Sequence, residues 1–209
     1  MKVSKNLKQE ETIRADIGSG PAAYIVEDKV LWESFKEGSE SAFVDIYNVY
    51  FQPLYDFGRQ FSGDTDLVKD CIQEVFINIR VKRKNLPKVI SIKSYLLKSL
   101  RNKILTEIRD SRKNLYTNID NPSLKFSTTP SHESILINRQ FTRDQVRVIQ
   151  ELLSKLTERQ REAIYHFYYS NLGYEEIRTI MGFSSTRAVR NLVYRALSEV
   201  KKSFGKIGR

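Results

Sequence analysis

The residues with the clearest chemical purpose lie on one predicted helix near the C-terminus. Apolar residues recur every three or four positions from Val189 to Phe204, which predicts an amphipathic helix that Ser184 or Ser185 caps. Its polar side carries side chains that can bind DNA: Ser185, Thr186, Arg187, Arg190, Asn191, Tyr194 and Arg195. Arginine can donate two hydrogen bonds to guanine, and asparagine can bond adenine in a similar paired fashion. These residues therefore predict base reading in the major groove of duplex DNA.

Two shorter elements must position that helix. The sequence Thr157–Gln160 is typical of a capping box, so a helix is expected to begin there and to end near Asn171–Gly173. A short helix should follow from Tyr174 to Met181 and stop at Gly182. Two helices separated by a tight glycine turn form a helix-turn-helix, which places its second helix in the major groove. A helical hairpin with a solvated charged face is the alternative interpretation.

A second basic segment lies in the middle of the chain. Residues 80–113 contain 12 Lys or Arg and 2 Asp or Glu, within a chain whose formal net charge is +10. A basic loop from Arg80 to Lys88 leads into a predicted helix from Ser91 to Lys113. The residues that can contact a nucleic acid here are Lys82, Arg83, Lys84, Tyr95, Lys98, Arg101, Asn102 and Arg109. Cations interleaved with an aromatic ring fit a phosphate backbone and an unstacked base, although such a helix could also lie on a membrane surface.

The helix before this loop carries acidic instead of basic side chains on its polar side. It is predicted to begin near Asp64, and its apolar residues fill one half of the helix wheel. The other half carries acidic and amide side chains together with one apolar residue: Asp66, Asp70, Gln73, Glu74 and Ile77. A solvated helix usually has a polar residue where this isoleucine lies. The pattern therefore indicates a surface that docks on another protein.

Few side chains suggest catalysis. The carboxylates at four-residue steps on the docking helix could hold metal ions in a nuclease, but no catalytic base accompanies them and no glycine-rich phosphate loop occurs. Cys71 is the only cysteine, which excludes an intrachain disulfide and a thiolate metal cluster. His132 and His166 are isolated and are interpreted as packing or surface residues. We therefore predict neither a metal site nor an enzyme.

The periodicity of the whole chain favours an all-α fold with two small helical domains joined by a flexible linker. Residues 1–27 are polar and are interpreted as a weakly ordered extension, and residues 28–113 as the first domain. Residues 114–131 are rich in Asn, Ser, Thr and Pro and form the linker to the second domain, residues 132–209. No apolar stretch is long enough to span a membrane, so a cytoplasmic location is expected.

Three motifs resemble those of a known family and occur in its order. Residues 156–162, Leu-Thr-Glu-Arg-Gln-Arg-Glu, together with Tyr174–Ile177 and the Met181-Gly182 turn, are similar to region four of the sigma-70 family. Residues 70–76, Asp-Cys-Ile-Gln-Glu-Val-Phe, resemble its region two segment, and Arg101-Asn102 matches the Arg-Asn that follows it. Because regions one and three have no counterpart, the resemblance is to the short, extracytoplasmic-function group.

That resemblance implies a transcription initiation factor without a cofactor or a small-molecule substrate. Asp66 to Ile77 would dock on the clamp of the largest subunit of core RNA polymerase. The basic loop and helix, residues 80–113, would open and hold the minus ten element of promoter DNA, and the final helix would read the minus thirty-five element. The family also implies a membrane-associated anti-sigma factor that covers these faces. The alternative, a regulator that binds an operator as a dimer, would not need the docking helix.

Overall fold

The computed structural model describes residues 21–89, 91–113, 126–127 and 143–207. Within these ranges the α-helices are α1 (Pro21–Glu37), α2 (Glu40–Gly58), α3 (Thr65–Val81), α4 (Ile92–Lys113), α5 (Arg143–Ser154), α6 (Glu158–Ile164), α7 (Tyr174–Met181) and α8 (Thr186–Ile207). A 3-10 turn (Arg83–Asn85) follows α3, and a π-helical turn (Tyr165–Tyr169) extends α6. The described residues include no β-strand and no helix that is long and apolar enough to cross a membrane. The predicted all-α class is confirmed.

Local capping explains where the helices begin. The Ser39 side chain caps α2 and the Asp64 carboxylate caps α3, each by accepting hydrogen bonds from backbone amides of the first turn. Thr157 and Gln160 form the predicted capping box of α6. At the start of α8, the Ser185 hydroxyl accepts a hydrogen bond from a backbone amide three residues later. These starts follow the capping signals in the sequence.

The first helix begins earlier than expected. α1 starts at Pro21, within the segment that the sequence assigns to a weakly ordered extension. Proline fits the first turn of a helix because it has no amide hydrogen that would be left unpaired there. Residues 21–27 are therefore helical, and the prediction of an extension is wrong for them; residues 1–20 lie outside the described residues.

The helices α1 to α4 pack around a core of aromatic and aliphatic side chains. Trp32 is buried, and its Nε1 donates a hydrogen bond of 3.0 Å to the carbonyl of Pro87 in the loop before α4. The inward-facing residues of α4 are completely covered: Ile92, Leu96, Leu100 and Ile104. At Gly58, an added Cβ would lie 2.6 Å from Val68 Cγ1. The close approach of α2 to α3 therefore depends on glycine at this position.

The helices α6 to α8 form the predicted helix-turn-helix. Its core is filled by buried side chains of α7 and α8: Ile177, Ile180, Val189, Val193 and Ala196. Gly182 ends α7 with φ +69°, in the left-handed region that glycine adopts without steric cost. Leu197 and Phe204 are exposed, although their periodicity places them on the inner side of the helix. Ser203, one residue before Phe204, is buried, so α8 is still covered at this end but on a different side.

The two helical groups, α1–α4 and α6–α8, contact each other and share a continuous core. α4 packs on α7, and Phe57 of α2 lies against His166 with ring centroids 4.9 Å apart. Phe126, from the predicted linker, is buried between Phe61 and Tyr165, at centroid distances of 5.0 Å and 5.7 Å. The sequence predicts two domains joined through a linker but gives no sign of this direct contact between them.

Candidate nucleic-acid and protein interface

The start of α8 presents most of the predicted base-reading side chains to solvent. The exposed ones are Ser185, Arg187, Arg190, Asn191, Tyr194 and Arg195, whereas Thr186 is half-buried. Their spacing of three and four residues places them on one side of the helix, opposite the buried Val189 and Val193. The structure thus brings these seven residues together on a single face that can enter a major groove.

Two aromatic rings outside the predicted set contact arginines of the helix-turn-helix. The Arg190 guanidinium lies 5.3 Å from the ring centroid of Tyr174, which stacks on Phe167 at 5.1 Å. The Arg159 guanidinium lies 4.6 Å from the ring centroid of Phe183. Because a cation is attracted to the face of an aromatic ring, Tyr174 helps to orient Arg190. The sequence shows an aromatic residue at the first position of α7 but not its contact with α8.

The helix α3 exposes all of the side chains that are predicted to bind another protein: Asp66, Asp70, Gln73, Glu74 and Ile77. The Ile77 side chain is 52% exposed, which is a large fraction for an isoleucine. Glu74 pairs with Lys103 of α4 at 2.5 Å, and Glu107 pairs with the same ammonium at 2.6 Å. Hydrogen bonds to Glu107 and Glu74 hold the pKa of Lys103 above its usual range. The acidic face of α3 is therefore partly neutralised at Glu74 by Lys103 of α4.

A groove beside the docking helix extends this surface. It has a volume of about 460 Å³ between α2 and α3 and is lined by Phe43, Tyr47, Phe51, Lys69, Gln73, Phe76, Ile77 and Arg80. The Tyr47 side chain is 40% exposed, although its periodicity assigns it to the core. Periodicity identifies the apolar face of a helix but not how far its neighbours cover that face. For this reason the sequence does not reveal that aromatic side chains line the groove.

The basic loop after α3 is exposed at Lys82 and Lys84, whereas Arg83 is half-buried. Glu40, at the start of α2, accepts a hydrogen bond of 2.7 Å from Arg80 and one of 3.0 Å from Arg83. These residues line a second groove of about 700 Å³. Exposed ion pairs are weak, so a phosphate can compete with Glu40 for both arginines. No sequence signal identifies Glu40, because its partners lie on other elements.

The outer face of α4 is only partly accessible. Lys98, Asn102 and Arg109 are exposed, as predicted for a ligand-binding face. The Tyr95 ring instead packs on Trp32 with centroids 5.3 Å apart, and burial raises the pKa of its hydroxyl. The aromatic ring predicted to stack on a base is therefore half-buried against α1 in this structure.

Arg101 lies at the boundary between the two helical groups. Its Nε and Nη2 donate hydrogen bonds of 2.5 Å and 3.2 Å to the two oxygens of Glu162, and the two side chains are 13% and 4% exposed. His166 Nε2 lies 3.8 Å from the same carboxylate. Burial raises the pKa of Glu162, but His166 and Arg101 outweigh this effect and hold it below its usual range. In this structure Arg101 therefore binds a carboxylate of the helix-turn-helix.

The carboxylates of α3 do not gather into a metal site. In the parts of the chain that the structure describes, no three His, Cys, Asp or Glu side chains lie close enough together to hold a metal ion. Cys71 is buried, and burial raises the pKa of its thiol to about 11, which disfavours a reactive thiolate. His166 is fully buried, and His132 lies outside the described residues. The hypothesis of a metal-dependent nuclease gains no support from this geometry.

Two family models match the chain in the order of its motifs. The model of Sigma-70 region 2 matches residues 46–114, and the model of Sigma-70, region 4 matches residues 147–200. The first match includes the docking helix and the basic loop and helix, and the second includes the helix-turn-helix. Together they cover more than half of the chain.

Individual proteins are similar over most of their length. The chain is 24% identical over 167 residues to the ECF RNA polymerase sigma factor SigM of Bacillus subtilis (strain 168), which covers 78% of this chain and 94% of SigM. It is 25% identical over 158 residues to the RNA polymerase sigma factor SigZ of the same organism, which covers 76% of this chain and 84% of SigZ.

Solved structures share the fold. CnrH in complex with the cytosolic domain of CnrY has a TM-score of 0.57 at 18% identity and covers 86% of this chain and 97% of CnrH. The sigma factor RpoE in complex with the anti-sigma factor NepR from Bartonella quintana has a TM-score of 0.55 at 19% identity and covers 80% of this chain and 98% of RpoE. Because both family regions match in the order of the motifs, the chain belongs to the sigma-70 family of RNA polymerase sigma factors, in the extracytoplasmic-function group.

Proposed function

We propose that this chain is an alternative sigma factor that binds core RNA polymerase and directs it to a set of promoters. The observation that carries this proposal is the presence of an exposed acidic docking face on α3 and an exposed base-reading face on α8 in one chain. The protein acts by binding alone, without a catalytic step or a cofactor, and its partners place it in the cytoplasm.

The proposed polymerase contact is centred on Ile77. This side chain lies among the carboxylates of α3 and lines the aromatic groove. A helix of the polymerase can therefore bury Ile77 while basic residues of that helix face Asp66, Asp70 and Glu74. Charge complementarity of this kind favours fast and specific association. We assign polymerase binding and the minus ten element to residues 28–113.

The proposed promoter contacts differ in what they contribute. Exposed lysines of the basic loop and α4 bind phosphates, which gives affinity that falls steeply with salt but carries little sequence information. Arg187, Arg190 and Asn191 on α8 read bases of the minus thirty-five element, because their side chains can form paired hydrogen bonds with guanine and adenine. We assign this second contact to residues 132–209 and the spacing between elements to residues 114–131.

We further propose that an anti-sigma factor, membrane-associated or not, binds this chain. CnrH and RpoE, whose fold this chain shares, are each in complex with another protein in the solved structures, and for RpoE that partner is an anti-sigma factor. Co-expression with the products of neighbouring genes, followed by affinity purification of the tagged chain, tests this. A stable partner that abolishes polymerase binding is expected, and the absence of any such partner contradicts it.

The test of polymerase binding reverses two charges on the docking face. Asp70→Lys with Glu74→Lys should reduce the recovery of core polymerase on the tagged chain at least tenfold, because like charges across an interface cost several kcal/mol. Asp45→Lys with Glu199→Lys is the matched control, since it changes the net charge equally at exposed positions outside α3. Equal recovery with both double variants would contradict the docking surface.

The same variants separate this function from that of an operator-binding regulator. Such a regulator needs only the helix-turn-helix, so reversing the charges of α3 should leave its DNA affinity and its cellular activity intact. A chain that represses or activates a promoter without binding core polymerase at all would support the regulator and exclude the sigma factor.

A further inference from the structure

The basic loop after α3 is held at its far end by the first two helices. The carbonyl of Pro87 accepts a hydrogen bond of 3.0 Å from Nε1 of the buried Trp32. The Asp28 carboxylate accepts one of 2.9 Å from the Ile92 amide, at the start of α4, and one of 2.8 Å from the Tyr50 hydroxyl. Since α1 and α2 supply these partners, the loop enters α4 in a fixed position.

Glu40, at the start of α2, holds the near end of the same loop. Its two carboxylate oxygens accept hydrogen bonds from Arg80 Nη2 and from Arg83 Nη1, at 2.7 Å and 3.0 Å. The Arg80 guanidinium also lies 5.2 Å from the ring centroid of Phe43. Arg83 passes beside Gly38, where an added Cβ would lie 3.5 Å from its Nη2. The end of α1 and the first turn of α2 therefore fix the direction of both guanidinium groups.

The loop thus carries two kinds of cation. Lys82 and Lys84 are exposed and form no ion pair within the described residues, so they can follow a phosphate in many directions. Arg80 and Arg83 are bound to one carboxylate through one nitrogen each, and because a guanidinium has five N–H groups, both can still donate to a ligand. Phosphate binding needs charge, whereas paired hydrogen bonds to a base edge need a fixed direction. The two arginines are suited to the second task.

The position of Glu40 argues against a loop that contributes affinity alone. A carboxylate in a groove that four cations of the loop also line weakens the attraction for phosphate. An unrestrained arginine, however, loses rotamer freedom when it binds a base, and this loss weakens binding. A single exposed ion pair contributes little, but two pairs to one carboxylate form a network, which restrains its members more firmly. Glu40 therefore restricts both arginines before DNA binds.

We infer that Glu40 is a positioning residue for promoter recognition: it fixes Arg80 and Arg83 so that the basic loop discriminates between bases of the minus ten element. Glu40 acts through these arginines and need not touch DNA. The inference rests on the proposed function and differs from simple competition, in which Glu40 only occupies the arginines until a phosphate displaces it. Competition predicts that removing the carboxylate strengthens binding to every sequence, whereas positioning predicts that it weakens discrimination.

The restraint itself is measured in the free chain, without DNA or polymerase. Nuclear spin relaxation of the arginine Nε–H groups in the isotope-labelled full chain should give larger order parameters for Arg80 and Arg83 than for Arg187, which is exposed at the start of α8. Glu40→Gln should lower both values toward that of Arg187, because a neutral amide binds a guanidinium less strongly than a carboxylate does. Order parameters that do not change in Glu40→Gln would overturn the positioning role.

The functional test uses core polymerase and a promoter that the chain transcribes, with its minus ten element randomised and each template identified by a transcribed barcode. Glu40→Gln, in which Ser39 still caps α2, should reduce the preference among bases at one or two adjacent minus ten positions. The reduction should be at least about fivefold, the lower end of the range for a paired base contact. A second library randomised in the minus thirty-five element should give unchanged preferences. Arg80→Lys with Arg83→Lys keeps both charges but removes the forked donors, and should lose the same preferences.

Glu37→Gln is the matched control, because it removes an equal charge from an exposed glutamate that pairs with no arginine in the described part of the chain. It should keep every base preference, and a loss equal to that of Glu40→Gln would overturn the inference. Adding Glu40→Gln to the double lysine variant should cause no further loss, since neighbours that act through one another are not additive.

Two further results would also overturn the positioning role. One is a further loss in the triple variant, which would mean that Glu40 contacts the promoter directly. The other is a uniform gain of transcription in Glu40→Gln with unaltered preferences, which is the result that competition predicts. If the unaltered chain starts no transcript from any promoter, the proposed function fails and this inference fails with it.

Discussion

At the scale of single residues, the base reading proposed for Arg190 depends on a neighbouring aromatic ring. Its guanidinium lies over the Tyr174 ring, and this contact restricts the directions in which it can donate hydrogen bonds. Tyr174→Ala should therefore reduce the affinity for a duplex selected from a random pool about two- to fivefold, the equivalent of a cation–π contact of about 0.5–1 kcal/mol. Tyr174→Phe keeps the ring and should bind like the unaltered chain. Equal losses in both variants would show that the hydroxyl, not the ring, matters.

His166 gives the boundary a dependence on pH. Its imidazole is buried beside Glu162, Arg101 and Lys93, and burial lowers its pKa, so the unfolded chain takes up a proton first as the pH falls through about 6.5. The free energy of unfolding should decrease from pH 7.5 to 5.5, by at most about 1.4 kcal/mol per pH unit. Glu162, whose pKa is lowered, adds a similar loss only below about pH 4.5. Urea unfolding of His166→Phe, which keeps a ring but cannot titrate, should show a flatter dependence between pH 7.5 and 5.5. An unchanged slope would contradict this assignment.

At the scale of elements, the close packing of α2 on α3 depends on the absence of a side chain at Gly58. A Cβ at Gly58 would lie 2.6 Å from Val68 and 3.2 Å from Ile104, whereas one at Gly63 would meet no atom within 4 Å. Gly58→Ala should therefore lower the free energy of unfolding by about 1–3 kcal/mol, as overpacking does in other cores. Gly63→Ala is the matched control and should change it by less than about 1 kcal/mol. Thermal or urea unfolding measures both, and similar stabilities would contradict the close packing.

The helices themselves could largely be predicted from the sequence, because the signals that begin and end them are local. Asp64 and Thr157 cap helices where expected, and Gly182 ends α7 in the left-handed conformation. The extent of burial could not be predicted equally well. Tyr47 and Phe204 have the periodicity of core residues but are exposed. The apolar positions of a helix therefore show which side faces the core, but not how many of them the neighbouring helices cover.

At the scale of the whole molecule, the contact between the two helical groups is the feature that the sequence does not indicate. Arg101 and Glu162 are 61 residues apart, and each is equally consistent with an exposed charged face. Phe126 lies in a segment without apolar period, so nothing distinguishes it from a linker residue. The motifs predict the family, which the family models confirm, whereas the two interaction faces stay predictions. Two surfaces that are distant in sequence can be complementary without a periodic pattern in either segment. For this reason the sequence does not reveal the boundary.

As a sigma factor, this chain gives core RNA polymerase its choice of promoter. The most direct measurement is run-off transcription in vitro, with purified core polymerase and fragmented genomic DNA from the source organism, followed by sequencing of the transcript 5′ ends. Adding the chain should produce defined start sites that are absent with core polymerase alone. Arg187→Ala with Asn191→Ala should lose most of these transcripts while retaining polymerase binding, since each paired base contact contributes about 1–3 kcal/mol of discrimination. A folded, polymerase-bound chain that yields no new start site on any fragment would contradict promoter selection by this protein.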